Sequence, residues 1–291
     1  MAAFARDNES SMQVWSKESG YPGDPAYREF YRDVGWDLPL EYIRPWVQPT
    51  GDRKNTGIKY YRITGKGNHK EPYDPYWARE RAAEHASHFV WSRERQIEHL
   101  AGRMGRPPIV VAPYDAELFG HWWYEGPTWL DFVLRKIACD SQTVSLTYPG
   151  EYLSRMPTQQ VATPAQSSWG DKGYHEVWLT ESNAWIYPHA FRCAEQMRDL
   201  ARSQADDAAP LVQRVLRQLA RELLLLQASD WAFIIRNRTM PEYATRRTDS
   251  HVRRFRRLAE MLWQGQIDEG WLAKVESVDN LFPAVDWRVY R

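Results

Sequence analysis

Residues 108–127 constrain the fold more than any other stretch. Ile109, Val110, Val111 and Ala112 form a short apolar run between Pro108 and Pro113, which predicts a buried strand. Asp115 and Glu117 follow where that strand would end. Gly120, His121, Trp122, Trp123 and Tyr124 come next, and Gly126-Pro127 opens an amphipathic helix carrying Trp129, Phe132, Val133 and Ile137. Strand, then acids, then helix is how an α/β barrel presents groups on the loops that follow its strands. Acids ringed by Trp, Tyr and His also suit a sugar, whose C–H faces lie on aromatic rings while carboxylates take the hydroxyls. The plainer alternative is an ion-paired strand end with tryptophan used as core filling.

With 291 residues the chain can hold one large domain, or one domain and a smaller companion. Fifteen Trp and sixteen Tyr exceed ordinary usage, and such rings serve as core, interface or sugar platform. The formal net charge is zero, so there is no electrostatic footprint for nucleic acid or acidic lipid. Cys139 and Cys193 are far apart and form no metal or disulfide framework, which suits free thiols in a reducing compartment. No apolar run reaches membrane-spanning length and the start lacks a signal-peptide layout. The expectation is a cytoplasmic protein without a membrane partner.

Along the chain, residues 1–11 are polar with no helix or strand period and predict loop. Residues 1–75 are turn-rich, with Gly20 to Pro25 as a turn cluster and aromatics and charges interleaved from Tyr27 to Asp33. The alternation from Ile58 to Ile63 predicts a strand, as does Thr143 to Thr147. Asp74-Pro75 supplies a cap and first-turn proline for a helix reaching about Met104, with Trp77, Ala82, Ala86, Phe89, Ile97 and Leu100 on its apolar face. Pro149 begins a short helix through Leu153.

Residues 157–182 are rich in Pro, Gln, Ser, Thr and Gly. They predict an ordered loop from which Trp169 and Trp178 project, as plugs onto the domain or as sugar contacts. Helices are expected near 185–204, 208–228, 240–265 and 268–277. Leu211, Val215, Leu219, Leu223 and Leu226 form a core stripe. The arginines at 246, 247, 253, 254, 256 and 257 are read as a solvated, ion-paired face with Phe255, Leu258, Met261 and Leu262 turned inward. His85, His88 and His99 share one helix without completing a metal motif, so no metal is expected. No Gly-rich phosphate loop, nucleophile elbow or repeat is present.

Several segments resemble the C-terminal part of the glycoside hydrolase family 57 α-1,4-glucan branching enzymes. They are Ser11 to Ser16, Gly20 to Asp24, Tyr27 to Asp33, Asn55 to Arg62, Ala112 to Trp123, Ser167-Ser168-Trp169-Gly170 and Ser229 to Phe233. The resemblance implies an α/β plus all-α fold. Residues 1–155 would form the C-terminal part of a distorted (β/α)7 barrel, and residues 156–291 a helical domain with a substrate-facing loop. It implies Asp115 as general acid/base of a retaining transglycosylase, and Trp15, Trp169 and Trp178 as lining of the glucan cleft. Glu117, His121 and Trp122 are expected to contact substrate. Glu117, two residues on along a strand, would share the face of Asp115 about 7 Å away rather than oppose it.

The implied substrate is an α-1,4-glucan such as amylose or glycogen, with no cofactor. The family's histidine-bearing first motif and its nucleophilic glutamate are not in this sequence. Retention needs two carboxyl groups about 5–5.5 Å apart across the sugar. The chain is therefore expected to be inactive alone, to require an N-terminal half, and to expose sheet edges that favour poor solubility or partnering. An amylase or 4-α-glucanotransferase of the same family, and a non-catalytic glucan-binding module, are the alternatives.

Overall fold

A computed structural model describes residues 2–47 and 52–291. The chain separates into two compact units, Met1–Val161 and Ala162–Arg291.

The first unit is built on two helices. Asp74 caps α4 (Pro75–Ala101), its Oδ1 accepting the Tyr76 and Trp77 amides at 2.8 and 3.2 Å. Gly126-Pro127 starts α5 (Gly126–Cys139). Ala78, Ala82 and Ala86 recur every four residues on α4, are fully buried, and share a core with Trp129, Val133 and Ile137 of α5. This alanine stripe, rather than Trp77, forms the inward face. Trp77 is 60% exposed, and Ile97 and Leu100 are half-buried. Three lesser helices are α2 (Val34–Asp37), α3 (Leu40–Ile43) and α6 (Pro149–Arg155).

The predicted loop at the start is instead helix α1 (Asn8–Trp15). Asp7 caps it, accepting the Ser10 amide at 2.8 Å and the Ser10 hydroxyl at 2.6 Å. The buried residues of α1 are Ser10, Ser11 and Val14, so apolar periodicity carries almost no signal and the cap chemistry carries most of it.

The expected strands are corrected too. Among the described residues there is no strand, and the α/β half of the expected fold class is not seen as a sheet; the partial barrel is not shown. Ile109 to Ala112 runs outside regular secondary structure, with the Val111 carbonyl accepting the Asp7 amide at 2.8 Å. Thr143 to Thr147 likewise forms no strand. Near Ile58 to Ile63 there are isolated antiparallel bridges, Arg28 with Arg62 and Tyr61 with Pro72. A strand exists only where a neighbour continues the ladder, and residue alternation within one segment does not report that neighbour.

The second unit is helical, as patterned: α7 (Ile186–Ser203), α8 (Pro210–Leu226), α9 (Asp230–Asn237), α10 (Pro241–Gln264) and α11 (Glu269–Val278). The short α9 escapes sequence reading because Ser229 makes no side-chain cap bond and the segment lacks a long period. Val215, Leu219, Leu223 and Leu226 of α8 meet Phe255 and Leu258 of α10 in one core, with Leu211 at its margin. Of the α10 arginines, Arg253 pairs with Asp249 and Arg257 with Asp268 at the surface, whereas Arg254 and Arg247 reach the buried Asp279 and Arg256 meets His189 instead of an acid. Among the described residues no helix is long and apolar enough to cross a membrane.

Candidate functional site

The first unit carries a cavity of about 770 Å³. Trp15, Phe30, Tyr31 and Trp122 supply its rings, and Lys17, Glu18, Arg28, Glu29, Arg32, Lys66 and Lys70 its polar rim. Trp15 ends α1, and its buried indole N–H has no hydrogen-bond partner among the described residues. Trp122 is half exposed and stacks on Phe30 with centroids 4.5 Å apart, while His121 meets Phe30 and Trp122 edge-on at 5.7 and 5.2 Å. Much of the rim charge is already paired. Lys70 contacts Glu29 at 2.8 Å, Arg32 contacts Asp37 at 2.6 Å, and the Arg28 guanidinium lies 3.6 Å above the Tyr124 ring. The rings offer flat apolar faces, and the rim, with five cationic and two anionic side chains, offers donors to a polar ligand.

Core contacts hold this cavity in shape. The Tyr21 and Tyr27 hydroxyls hydrogen-bond Nδ1 of His88 and His85, each at 2.8 Å, tying the turn at 21–27 to α4. The Nδ1 atoms of His85 and His88 are therefore engaged within the first unit. Burial holds the His85 imidazole below its ordinary range. Asp33 is almost fully buried and accepts the Gly35, Thr56 and Gly57 amides and the Thr56 hydroxyl at 2.8–2.9 Å.

Asp115 and Glu117 are both exposed, on either side of Ala116 where a single 3-10 turn (Ala116–Leu118) begins. The Asp115 carbonyl accepts the Leu118 amide at 3.1 Å. Leu118 and Trp122 line the cavity, whereas Asp115 and Glu117 are not among its lining. Because Glu117 sits in a turn, the strand geometry expected to give it the same face as Asp115 does not apply. The structure thus brings Trp15 and Trp122 together, with His121 beside them. Phe30 and Arg28 were not singled out from the sequence, although they fall in the interleaved aromatic and charged run from Tyr27 to Asp33.

In the second unit Trp169 is 55% exposed, on a loop whose shape is fixed by Ser168. The Ser168 amide reaches the Gly173 carbonyl at 2.8 Å, and its hydroxyl accepts the Gly170 amide at 3.0 Å. Trp178 is half-buried and packs on Phe233 at 6.2 Å, so it anchors as well as projects.

Glu222, His251 and Asp279 are buried with ligand atoms within 4.8 Å of one another. Glu222 Oε2 pairs with His251 Nδ1 at 2.7 Å, Arg254 pairs with Asp279, and Arg247 reaches His251 Nε2 at 3.1 Å. Two guanidinium groups already supply the positive charge, so the cluster suits a self-compensated polar core rather than a cation site.

Comparison with known proteins shows what this chain, with its cavity and acidic turn, resembles. The chain is similar, along essentially its whole length, to part of the branching enzymes of glycoside hydrolase family 57. Residues 189–290 match the family described as "1,4-alpha-glucan branching enzyme, C-terminal". The chain is 39% identical to the 1,4-alpha-glucan branching enzyme TK1436 of Thermococcus kodakarensis, over 98% of this chain and 40% of that protein. The crystal structure of the alpha-amylase AmyC from Thermotoga maritima matches with a TM-score of 0.74 at 46% identity, covering 99% of this chain and 54% of that one. The branching enzyme from Pyrococcus horikoshii gives 0.72 at 36% identity, over 99% and 51%. The chain therefore spans about half the length of the relatives it matches.

Proposed function

We propose that this chain forms the acid/base and glucan-holding part of a retaining 1,4-α-glucan branching enzyme. The carrying observation is the cavity of about 770 Å³ in which Trp15, Phe30 and Trp122 gather beside the turn that bears Asp115. Rings of this kind hold pyranose C–H faces and exclude water, which favours transfer to the 6-hydroxyl of another glucan over hydrolysis. Asp115 would protonate the leaving oxygen and later take the proton of the accepting hydroxyl. The attacking carboxylate, on the opposite side of the anomeric carbon, would come from the region that the longer relatives carry beyond the matched stretch. In this reading Trp15, Trp122 and His121 contact substrate in the first unit. Trp169 and Trp178 are the candidate sugar contacts of the second unit, and Glu117 hydrogen-bonds a sugar hydroxyl.

The test supplies the remaining half in trans and follows amylose by iodine stain and by debranched chain length. New α-1,6 branches in the reconstituted enzyme, absent with Asp115→Ala and absent from the lone chain, support the reading. Turnover by the lone chain, or branching that survives Asp115→Ala, defeats it. A second reading, amylase action, is favoured by the 46% identity to AmyC. Reducing ends released without new branches would select it.

A further inference from the structure

Glu125 stands immediately before α5 and is only 5% exposed. Its Oε1 accepts the Arg28 amide at 3.1 Å, while its Oε2 is buried with no hydrogen-bond partner among the described residues. The Arg28 guanidinium lies 3.6 Å above Tyr124, the residue preceding Glu125. Two residues beyond Arg28, Phe30 stacks on Trp122 at 4.5 Å. The cavity wall at 28–32 is thus joined to the loop at 121–125 by a ring stack, an edge-on contact of Phe30 with His121, a cation–π contact and one part-buried hydrogen bond. Of these, the hydrogen bond is the one by which the loop at 121–125 grips the main chain of the 28–32 segment.

We propose that Glu125 is a positioning residue: by holding the Arg28 amide it sets the register of Phe30 against Trp122 and thereby the width of the glucan slot. This rests on the reading of the cavity as a glucan site. An amide oxygen at the same place can accept the same N–H, whereas an apolar side chain of similar volume cannot. Burial also pushes the Glu125 carboxyl above the usual carboxylate range, so an uncharged replacement is a fair substitute.

Amide hydrogen exchange and maltoheptaose titration on the whole chain test this with Glu125→Met and Glu125→Gln. Glu125→Met is expected to lower protection at Arg28 to Tyr31 at least tenfold while α4 and α5 keep theirs, and to weaken maltoheptaose binding by a similar factor. Glu125→Gln is expected to restore both to within about twofold. Should Glu125→Met not fold, Glu125→Leu makes the same comparison. Unchanged protection in the apolar variant overturns the proposal, as does lost protection with unchanged affinity. Failure of Glu125→Gln to rescue overturns it as well, by reducing Glu125 to a packing role. If the unaltered chain binds no maltoheptaose, the glucan reading falls, and the slot-width proposal falls with it; the exchange result then decides only whether Glu125 holds the Arg28 amide.

Discussion

Trp122 and Phe30, ninety-two positions apart, stack with centroids 4.5 Å from each other and planes 28° from parallel. One ring comes from the acidic-loop motif and the other from the interleaved segment after the first turn cluster, so the pair joins two of the sequence regions that line the cavity. Trp122→Ala is expected to weaken maltoheptaose binding roughly tenfold, about 1.4 kcal/mol, with helix content unchanged. Phe30→Ala should weaken it comparably, and the double variant by less than the sum, since each ring loses its partner in either single variant. Isothermal titration reads all three.

Asp33 governs acid stability of the first unit. Burial alone would raise its pKa, but hydrogen bonds from Thr56, Gly35 and Gly57 outweigh that and hold it below the usual carboxylate range. A folded value below the unfolded one gives stability that is present above the unfolded value, about 3.9, and lost as pH falls through the folded value. Asp33→Asn should cost about 2 kcal/mol or more near neutral pH. It should also lose less than the unaltered chain between neutral pH and pH 3. Urea unfolding at both pH values measures this.

Glu222 gives the opposite sign in the second unit. Burial raises its carboxyl above the ordinary range. A raised acid supports stability fully below its unfolded value and progressively less as pH climbs towards the folded one. Removing it strands the His251 ring and the Gln218 amide, which it accepts at 2.7 and 2.9 Å. Glu222→Ala should therefore cost about 3–5 kcal/mol. Glu222→Gln should cost less and flatten the decline with rising pH, in thermal unfolding followed by circular dichroism.

Gly170 tests the tryptophan loop. A Cβ there would lie 2.4 Å from the Tyr174 carbonyl, 2.9 Å from Ser168 Oγ and 3.0 Å from the Trp178 indole nitrogen. Gly170→Ala must displace the loop carrying Trp169. Proteolytic cleavage within 166–175 should quicken while the unfolding temperature of the helical unit holds, because none of those atoms belongs to its core.

What could be read from the residues followed the kind of signal each element emits. The Asp74-Pro75 start of α4, the Gly126-Pro127 start of α5 and the leucine stripe of α8 were legible because capping and period are local properties. The run Ile109 to Ala112 was misread as a buried strand, since apolar composition is shared by segments with and without a neighbour. Helix α1 was missed because it buries serines where a period needs apolar residues. Trp15 and Trp122 were picked out from the motif they sit in. Phe30, which completes the stack, became visible only when segments 92 positions apart met.

The seam formed by Ala78, Ala82 and Ala86 has a consequence for how this chain can drift. Each of these alanines has no exposed surface, so a methylene gained on α4 needs volume surrendered in the core they share with α5. Trp129 and Val133 are the places to surrender it. Homologues should accordingly show inverse size changes across this pair of helices, and a single enlargement at Ala82 without its counterpart should not be found.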